Sequence, residues 1–492
     1  MRVKLAGFNV DAERLRRLAG GGDLTPETLS AAYARISRSP LAIDALRRQA
    51  CRDVEKARRS NQRIIFAMGH HSVAEHAVFN FDLIGVSRLA LEEIEHFRLA
   101  SYTEKSQRYV TLEGERVRPP ELRDPKLRAL FQDISGRQFR FYFAAFARLH
   151  RRLRRQHAEL VSSAPGQRLV EGWAKEDARY VLPLAAGGQV GMTVNARTLE
   201  HMFRRWRLSP RAEVRRLAAR LHALVMPVAP SLILFPDPSP FDREAFAAMD
   251  GLFAALPVRA GRPAPAGLRI VAASDNGDDA ILAARLAMRR GLDLGRARAL
   301  VAGIAPAKKR ELFREFFARA QFFSAMPREF EMADVTFQAT VSASCFAQLK
   351  RHRMATLLPG GYDPELGVTL PPSFAAAGLE SGFRRIVAAS DKAYRRLRED
   401  CPAAADYVLT NAHRRLVLMR MNLRELYHFV RLRDDEHAQW DIRALAHDLA
   451  GLVRKRMPLA AMLLCGKSRF AGEYETIYGR RPEGSVPAAG SD

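Results

Sequence analysis

Apolar positions fall into two matching patterns far apart in the chain. In AVFNFDLIGVSRLALEEIEHFR, Val78, Phe79 and Phe81 open a strand-like run that passes into helical spacing. DVTFQATVSASCFAQLKRHR does the same, with Val335 and Phe337 on the strand part. Each stretch predicts a strand leading into a helix. Residues 127–160 predict a long amphipathic, arginine-rich helix or helical pair. Residues 423–456 are predicted to be mainly helical and end in Arg454-Lys455-Arg456 before Pro458, with cations where the helix dipole favours them. Thr25-Pro26 followed by Glu27 reads as a helix start. The predicted class is α/β.

Proline and glycine cluster near the middle, in FPDPSPF (235–241) and LPVRAGRPAPAGL (256–268), which reads as an interdomain linker between halves of similar size. The last stretch, RPEGSVPAAGSD, is expected to be a disordered tail. The halves share an order of elements. Arg98 in HFRLAS corresponds to Arg353 in RHRMAT, and Asn195 in VNARTLEHMFRRWR to Asn422 in MNLRELYHFVRLR, with a shorter middle in the second half. IVAASD at 270–275 and 386–391 recurs at a different offset, and in an alanine-rich chain it reads as chance. The expected division is repeat 1 over 1–250, a linker over 251–267, repeat 2 over 268–480 and a tail over 481–492.

Composition narrows the class. The 492 residues are 48% hydrophobic and 27% charged, an ordinary globular balance with ample length for a core. Cys51, Cys345, Cys401 and Cys465 are widely spaced without a C-x-x-C pair, which excludes a disulfide scaffold or zinc ribbon and fits a reducing compartment. The N-terminal segment lacks a signal-peptide core and no apolar run is long enough to span a bilayer, so a cytoplasmic protein without a membrane partner is expected. The formal charge of +25 is mostly arginine and suggests anionic ligands: nucleic acid, nucleotides or polyanionic cofactors. An arginine-biased genome gives the same excess, and runs such as Arg215-Arg216 are commonly solvated helix faces.

The usual catalytic signatures are absent: no G-x-G-x-x-G, Walker loop, G-x-S-x-G or H-E-x-x-H. Gly20-Gly21-Gly22 lacks the Lys-Ser/Thr of a phosphate loop and reads as a turn. Four polar clusters remain. GHHSVAEH carries His70, His71, Ser72, Glu75 and His76, a spacing able to gather metal ligands on one turn. A strand-entry turn with satisfied histidines accounts for it better, and no metal is expected. The loop Ser101–Tyr109 is dense in hydroxyls, with Glu104 and Arg108, and suits a nucleotide phosphate and base. In Gln348–Arg353 the consecutive basic side chains cannot share one helix face. In 422–442, Arg424 and His428, and Arg433 and His437, lie at i, i+4 and share a face if helical, as exposed surface pairs also do.

Taken in order, these clusters resemble the flavin-dependent thymidylate synthases. That family carries R-H-R-(x)n-S, extended as Q-x-x-R-H-R-x-A-S-x-N-E-x-S-x-R-Y. It also has G-H-x-S-x-x-E-H upstream, then N-x-R-S-L-x-x-F-x-x-x-R and H-A-Q-W-E-I downstream. Both halves resemble copies. The first retains GHHSVAEH, RLASYTEKSQRY and DARYVLPL. Its signature triplet is His96-Phe97-Arg98, Glu93 stands at the glutamine position, and it has no H-A-Q-W segment. The second retains Gln348, Arg351, His352, Arg353, Asn422, Arg424, His428, Arg433 and HAQWDI. After Arg353, however, it reads MATLLPGGY; Asp406 stands where the first half has Arg179, and MPREFEM replaces the histidine cluster.

The resemblance implies two tandem α+β domains, each a mainly antiparallel sheet flanked by helices. It implies conversion of dUMP to dTMP with methylenetetrahydrofolate as carbon donor, FAD as hydride carrier and NADPH as reductant, without a cysteine nucleophile. In the family the sites lie between subunits of a homotetramer, and the two halves have lost complementary residues. Composite sites between repeat 1 and repeat 2 are therefore expected, in a homodimer that mimics the tetramer, with two FAD per dimer. Arg433 would stabilise charge on the uracil ring. Gln348, Arg351, Ser106, Gln107, Arg108 and Arg179 would hold dUMP, with Glu104 also on the substrate side. FAD would meet His352, Arg353, Asn422, Arg424, His428 and His437, together with Arg351, His70, Ser72 and Glu104. Two alternatives stay open: a non-catalytic descendant binding nucleotide or nucleic acid, and a flavoenzyme acting on another pyrimidine nucleotide. A missing aromatic-interleaved basic stripe counts against nucleic acid.

Overall fold

The structure, a computed structural model, describes residues 1–17, 24–257 and 267–483. The glycine triplet, most of the linker (258–266) and the end of the tail (484–492) lie outside the described residues. Two antiparallel four-stranded sheets carry the same order. The first, β1-β2-β4-β3, uses β1 (Arg2–Phe8), β2 (Val78–Ser87), β3 (Ala100–Glu104) and β4 (Gly187–Asn195). The second, β5-β6-β8-β7, uses β5 (Leu268–Ala273), β6 (Asp334–Ser342), β7 (Thr356–Tyr362) and β8 (Arg414–Asn422). The two strand–helix patterns fold as expected: β2 runs into a helix at Arg88–Ile94, and β6 into one at Ala343–Leu349.

The duplication extends to hydrogen bonds. Val78 pairs with Asn195 across β2 and β4, as Asp334 pairs with Asn422 across β6 and β8. Ser87 caps its helix by accepting from the Ala90 amide, and Ser342 by accepting from that of Cys345. A helix N-terminus leaves backbone donors unpaired, and a side-chain oxygen there satisfies one of them. Asn195 and Asn422 do the same for the helices Ala196–Arg207 and Leu423–Arg433, accepting from Thr198 at 2.8 Å and Glu425 at 2.9 Å. Alternate strand residues enter the cores: Phe79, Phe81 and Leu83 from β2, Val335, Phe337 and Ala339 from β6.

The arginine-rich segment forms one helix, Pro125–Gln156, starting at the Asp124 cap. The second predicted segment divides into Leu423–Arg433 and Trp440–Arg456, the latter capped by Gln439. The Thr25-Pro26 signal starts the helix Glu27–Arg35. IVAASD contributes to strand β5 in one place and to the helix Glu380–Asp400 in the other, so its recurrence carries no structural equivalence. At the expected start of the linker the helix Pro240–Ala254 continues, begun by a Ser239–Asp242 capping box.

Compactness does not follow chain order. One unit holds Met1–Ala260 with Leu370–Asn411; the other holds Gly261–Thr369 with Ala412–Asp492. Within the first, the Glu380–Asp400 helix packs on Pro125–Gln156. A Cβ at Gly382 would meet the Phe141 ring at 2.6 Å, so glycine permits this approach. The fully buried Gln138 donates to Ser390 Oγ at 2.8 Å and Val408 O at 2.7 Å, fixing the pair. Among the described residues, no helix is long and apolar enough to cross a membrane.

Candidate active site

In the first unit, the end of β3 and the loop after it meet the end of the helix Ala164–Ala178. Arg179 caps that helix and opens a short 3₁₀ turn, Arg179–Val181. It is 5% exposed, and its Nε and Nη2 are buried without a hydrogen-bond partner. Burial pushes its pKa down, Glu176 opposes this, and the charges of Arg108 and Arg88 add to the fall. Unpaired buried charge is costly, so such a cation is poised for an anion. Arg108 is held by Glu176 through its Nε, its backbone amide donates to Ser106 Oγ at 3.1 Å, and its guanidinium lies 5.6 Å from the Tyr109 ring centre. Asn411 Nδ2 donates to Gln107 Oε1 at 3.1 Å and to the Arg179 carbonyl at 2.9 Å, tying loop to turn. Lys175 Nζ donates to the Tyr109 carbonyl at 3.1 Å. The structure thus gathers Ser106, Gln107, Arg108 and Arg179.

Glu104 is held by Arg88 in a buried ion pair at 3.3 Å. Arg88, Glu176 and Asn411 were not singled out from sequence. Arg88 looks like an ordinary first residue of a helix, but its counterpart in the second copy is Ala343, and that of Glu104 is Pro359. The two members of this pair are absent together, a signal that aligning the halves exposes.

In the second unit the cluster centres on His352, 4% exposed at the end of the Ala343–Leu349 helix region. Arg433 Nε donates to His352 Nε2 at 2.9 Å, and Arg433 Nη2 to the Gln348 carbonyl at 3.3 Å. The His352 ring packs edge-on against Phe429 and His428 at 4.8 and 5.7 Å. Its Nδ1 lies 3.6 Å from Glu425 Oε1, beyond hydrogen-bond reach. Burial, then the charges of Arg433 and His428, push the His352 pKa well below the usual histidine value. It is therefore a neutral imidazole that accepts at Nε2. Burial pushes the Glu425 pKa up, against His428 and Arg424. Gln348 Nε2 donates to Gln439 Oε1 at 3.3 Å.

The remaining predicted residues are more dispersed. Arg351 is exposed beside buried His352 and half-buried Arg353, so the basic run does diverge. Arg424 donates to the Met326 carbonyl and Glu331 at 2.8 and 2.9 Å. His437 is exposed, with Nδ1 3.0 Å from Asp435. His70 and Ser72 lie exposed on the turn into β2, while His71 faces Phe235 and His76 meets Tyr33. That turn disperses the imidazoles, and among the described residues no group of three or more His, Cys, Asp or Glu side chains could hold a metal ion.

Two stretches of the chain, residues 23–231 and 269–459, match the family described as "Thymidylate synthase complementing protein". The flavin-dependent thymidylate synthase of Clostridium tetani is 32% identical over 219 residues, 44% of this chain and 83% of that protein. The protein of the same name from Geobacter sulfurreducens is 35% identical over 221 residues, again 44% of this chain and 83% of the relative. A solved UMP/dUMP methylase, PolB from Streptomyces cacaoi bound with 5-Br dUMP, aligns over 45% of this chain and 98% of its own, at 20% identity and a TM-score of 0.32. With two matched stretches that together span most of its length, the chain belongs to the thymidylate synthase complementing family, the flavin-dependent thymidylate synthases, as a tandem duplication.

Proposed function

We propose that the chain converts dUMP to dTMP with methylenetetrahydrofolate, FAD and NADPH, at composite sites that combine residues retained by repeat 1 with residues retained by repeat 2. The observation that carries this reading is complementary retention. Repeat 1 keeps a buried arginine with two unpartnered guanidinium nitrogens, Arg179, where repeat 2 has Asp406. Repeat 2 keeps the Arg433–His352 pair where repeat 1 has Trp206 and Phe97. Copies drifting without function would lose residues irrespective of which copy supplied them.

Arg179 and Arg108 would hold the dUMP phosphate, with Ser106, Gln107, Gln348 and Arg351 supplying further contacts; guanidinium forks suit phosphate oxygens. Asn411 holds Gln107 and the Arg179 backbone in register. Arg433 would stabilise negative charge developing on the uracil ring. Hydrogen bonds to His352 and the Gln348 carbonyl set its direction before substrate arrives, which lowers the reorganisation required. His352 suits this role because a neutral acceptor leaves the arginine's positive charge undiminished.

The donor set also fits an anionic cofactor: His352 with an unsatisfied buried Nδ1, exposed His428 and the guanidinium of Arg353. With Arg351, Asn422, Arg424, His437, His70, Ser72 and Glu104, these residues would hold FAD. Bound there, the flavin would supply hydride transfer, and the protein would orient it. The Asn422 side-chain oxygen is already engaged as a helix cap, so its amide nitrogen is the end suited to a ligand.

The test is flavin absorbance of the purified chain, with tritium release from 5-tritiated dUMP in the presence of folate donor and NADPH. Bound flavin with release supports the reading. Flavin without release from dUMP favours another pyrimidine nucleotide. No flavin, with steeply salt-dependent nucleic-acid binding, replaces the reading with the non-catalytic one.

A further inference from the structure

At three positions of repeat 1 matching the polar cluster of repeat 2, those of Gln348, His352 and Arg433, the chemistry has changed, while His201 keeps the residue type of His428, and the changes fit one another. Phe97 stands for His352 and Trp206 for Arg433. Phe97 packs edge-on against Trp206 at 5.7 Å and His201 at 5.5 Å, as His352 packs against Phe429 and His428. Trp206 Nε1 donates to the Glu93 carbonyl at 3.3 Å, the counterpart of the Arg433 bond to the Gln348 carbonyl. One hydrogen bond has been kept and the charge removed.

The second substitution is electrostatic. Arg211 and Gln439 both stand at the N-cap position of the helix that follows, and the second residue of that helix, Glu213 or Asp441, accepts from the serine at the end of the central strand. Where repeat 2 pairs Gln348 with Gln439 through their amides, repeat 1 pairs Glu93 with Arg211 at 2.6 Å. The other terminal nitrogen of Arg211 reaches Asp406, the counterpart of Arg179, at 2.8 Å. Burial works against the Arg211 charge, yet Glu93 and Asp406 raise its pKa and keep it protonated. Glu213, buried nearby, accepts from the Tyr407 hydroxyl at 2.8 Å. An incoming phosphate would meet one guanidinium already shared between two carboxylates, and repulsion between like charges at such range is large.

We propose that repeat 1's counterpart of the nucleotide site is closed by the chain itself. Asp406 and Glu93 occupy the guanidinium of Arg211, Trp206 and Phe97 fill the place of the catalytic pair, and each chain keeps a single nucleotide site. This rests on the proposed function for the meaning of the positions, while the ion-pair triad stands on its own geometry. The test combines calorimetric titration of the FAD-loaded full chain with dUMP and thermal melts of E93Q, D406N and the double variant. One dUMP per chain is expected. Each single substitution should lower Tm by about 2–4 °C, the double by less than the sum, with stoichiometry and turnover unchanged. Two dUMP per chain, or lost turnover in a D406N chain that melts normally, overturns the inference. Unchanged or additive melts overturn it as well. Absence of dUMP binding together with coupled melting losses removes the proposed function and leaves the closed pocket standing.

Discussion

Arg179 and Asp406 occupy the same place in two copies of one fold. Each ends a helix and opens a 3₁₀ turn, Arg179–Val181 or Asp406–Val408, and each turn leads eight residues later into the last strand of its sheet. One is a buried cation with two unpartnered nitrogens; the other is an anion bound to Arg211. The same backbone serves opposite ends. On the proposed reading, a ligand would supply the missing counter-charge at Arg179, whereas Asp406 is already paired with a guanidinium of the chain. Single buried nitrogens without partners also occur at Arg14, Arg204 and Arg211, so it is the two on one guanidinium, set against a carboxylate at the matching position, that distinguish Arg179.

The largest contrast lies between Arg433 and Trp206. Arg433→Ala should lower kcat by about 10²–10³-fold, the loss typical of one fixed donor for developing charge, with the unfolding midpoint little changed. Trp206→Ala, at the corresponding position, should instead cost about 3–5 kcal/mol of stability, because Trp206 is 1% exposed and fully packed. Tritium release and urea unfolding on both variants check this. A folded Trp206→Ala chain with a catalytic loss like that of Arg433→Ala would break the distinction.

Arg179→Met should have two effects of opposite sign. It removes charge-assisted contacts to phosphate, so KM for dUMP should rise by about 10–100-fold, the equivalent of about 1.5–3 kcal/mol. It also removes a buried cation that Glu176 compensates only in part, so the ligand-free chain should melt at a higher temperature. A variant with raised KM and lowered Tm would show that Arg179 is paired in the resting protein.

A smaller difference concerns pH. The His352 pKa is depressed in the folded chain, so below the ordinary histidine value the unfolded chain binds the extra proton and the folded one resists it. Stability from this group is present above pH ~6.5 and lost as pH falls, at no more than about 1.4 kcal/mol per pH unit. Phe97 carries no such dependence. His352→Phe should flatten the fall in unfolding free energy between about pH 7 and 5.5, measured by denaturant titration. An unchanged slope would place the titration on other groups.

Local signals made much of this legible in advance. The strand-into-helix patterns at 78–98 and 335–353 and the long helix expected over 127–160, found as Pro125–Gln156, rest on short-range periodicity, and the repeat on matching order along the chain; the structure reproduces them. The divergence of Arg351 and His352 is what helix geometry predicts, but both lie past the end of the Ala343–Leu349 helix, so the turn that follows it separates them. Long-range pairings did not show. Asp406 could be seen to replace Arg179, but its partner Arg211 lies 195 residues away, and nothing local links them. Trp206 reads as a core aromatic until Asn195 and Asn422 fix the register that sets it opposite Arg433. Nor does chain order reveal that 370–411 packs with repeat 1, because that depends on complementary surfaces such as Gly382 under Phe141.

The smallest effect isolates function from fold most cleanly. Asn195 and Asn422 do one structural job, each accepting from a backbone amide at the start of its helix. Replacing either with alanine should cost about 1 kcal/mol, the usual loss of a cap, and the two losses should be similar because the hydrogen bonds are 2.8 and 2.9 Å. If Asn422 also meets FAD through its amide nitrogen, only Asn422→Ala should weaken flavin retention, read by absorbance after dialysis. Asn422→Asp keeps the cap oxygen and removes the nitrogen, so it should restore the melting temperature without restoring the flavin. Equal retention in the Asn195→Ala and Asn422→Ala chains would leave Asn422 a cap and nothing more.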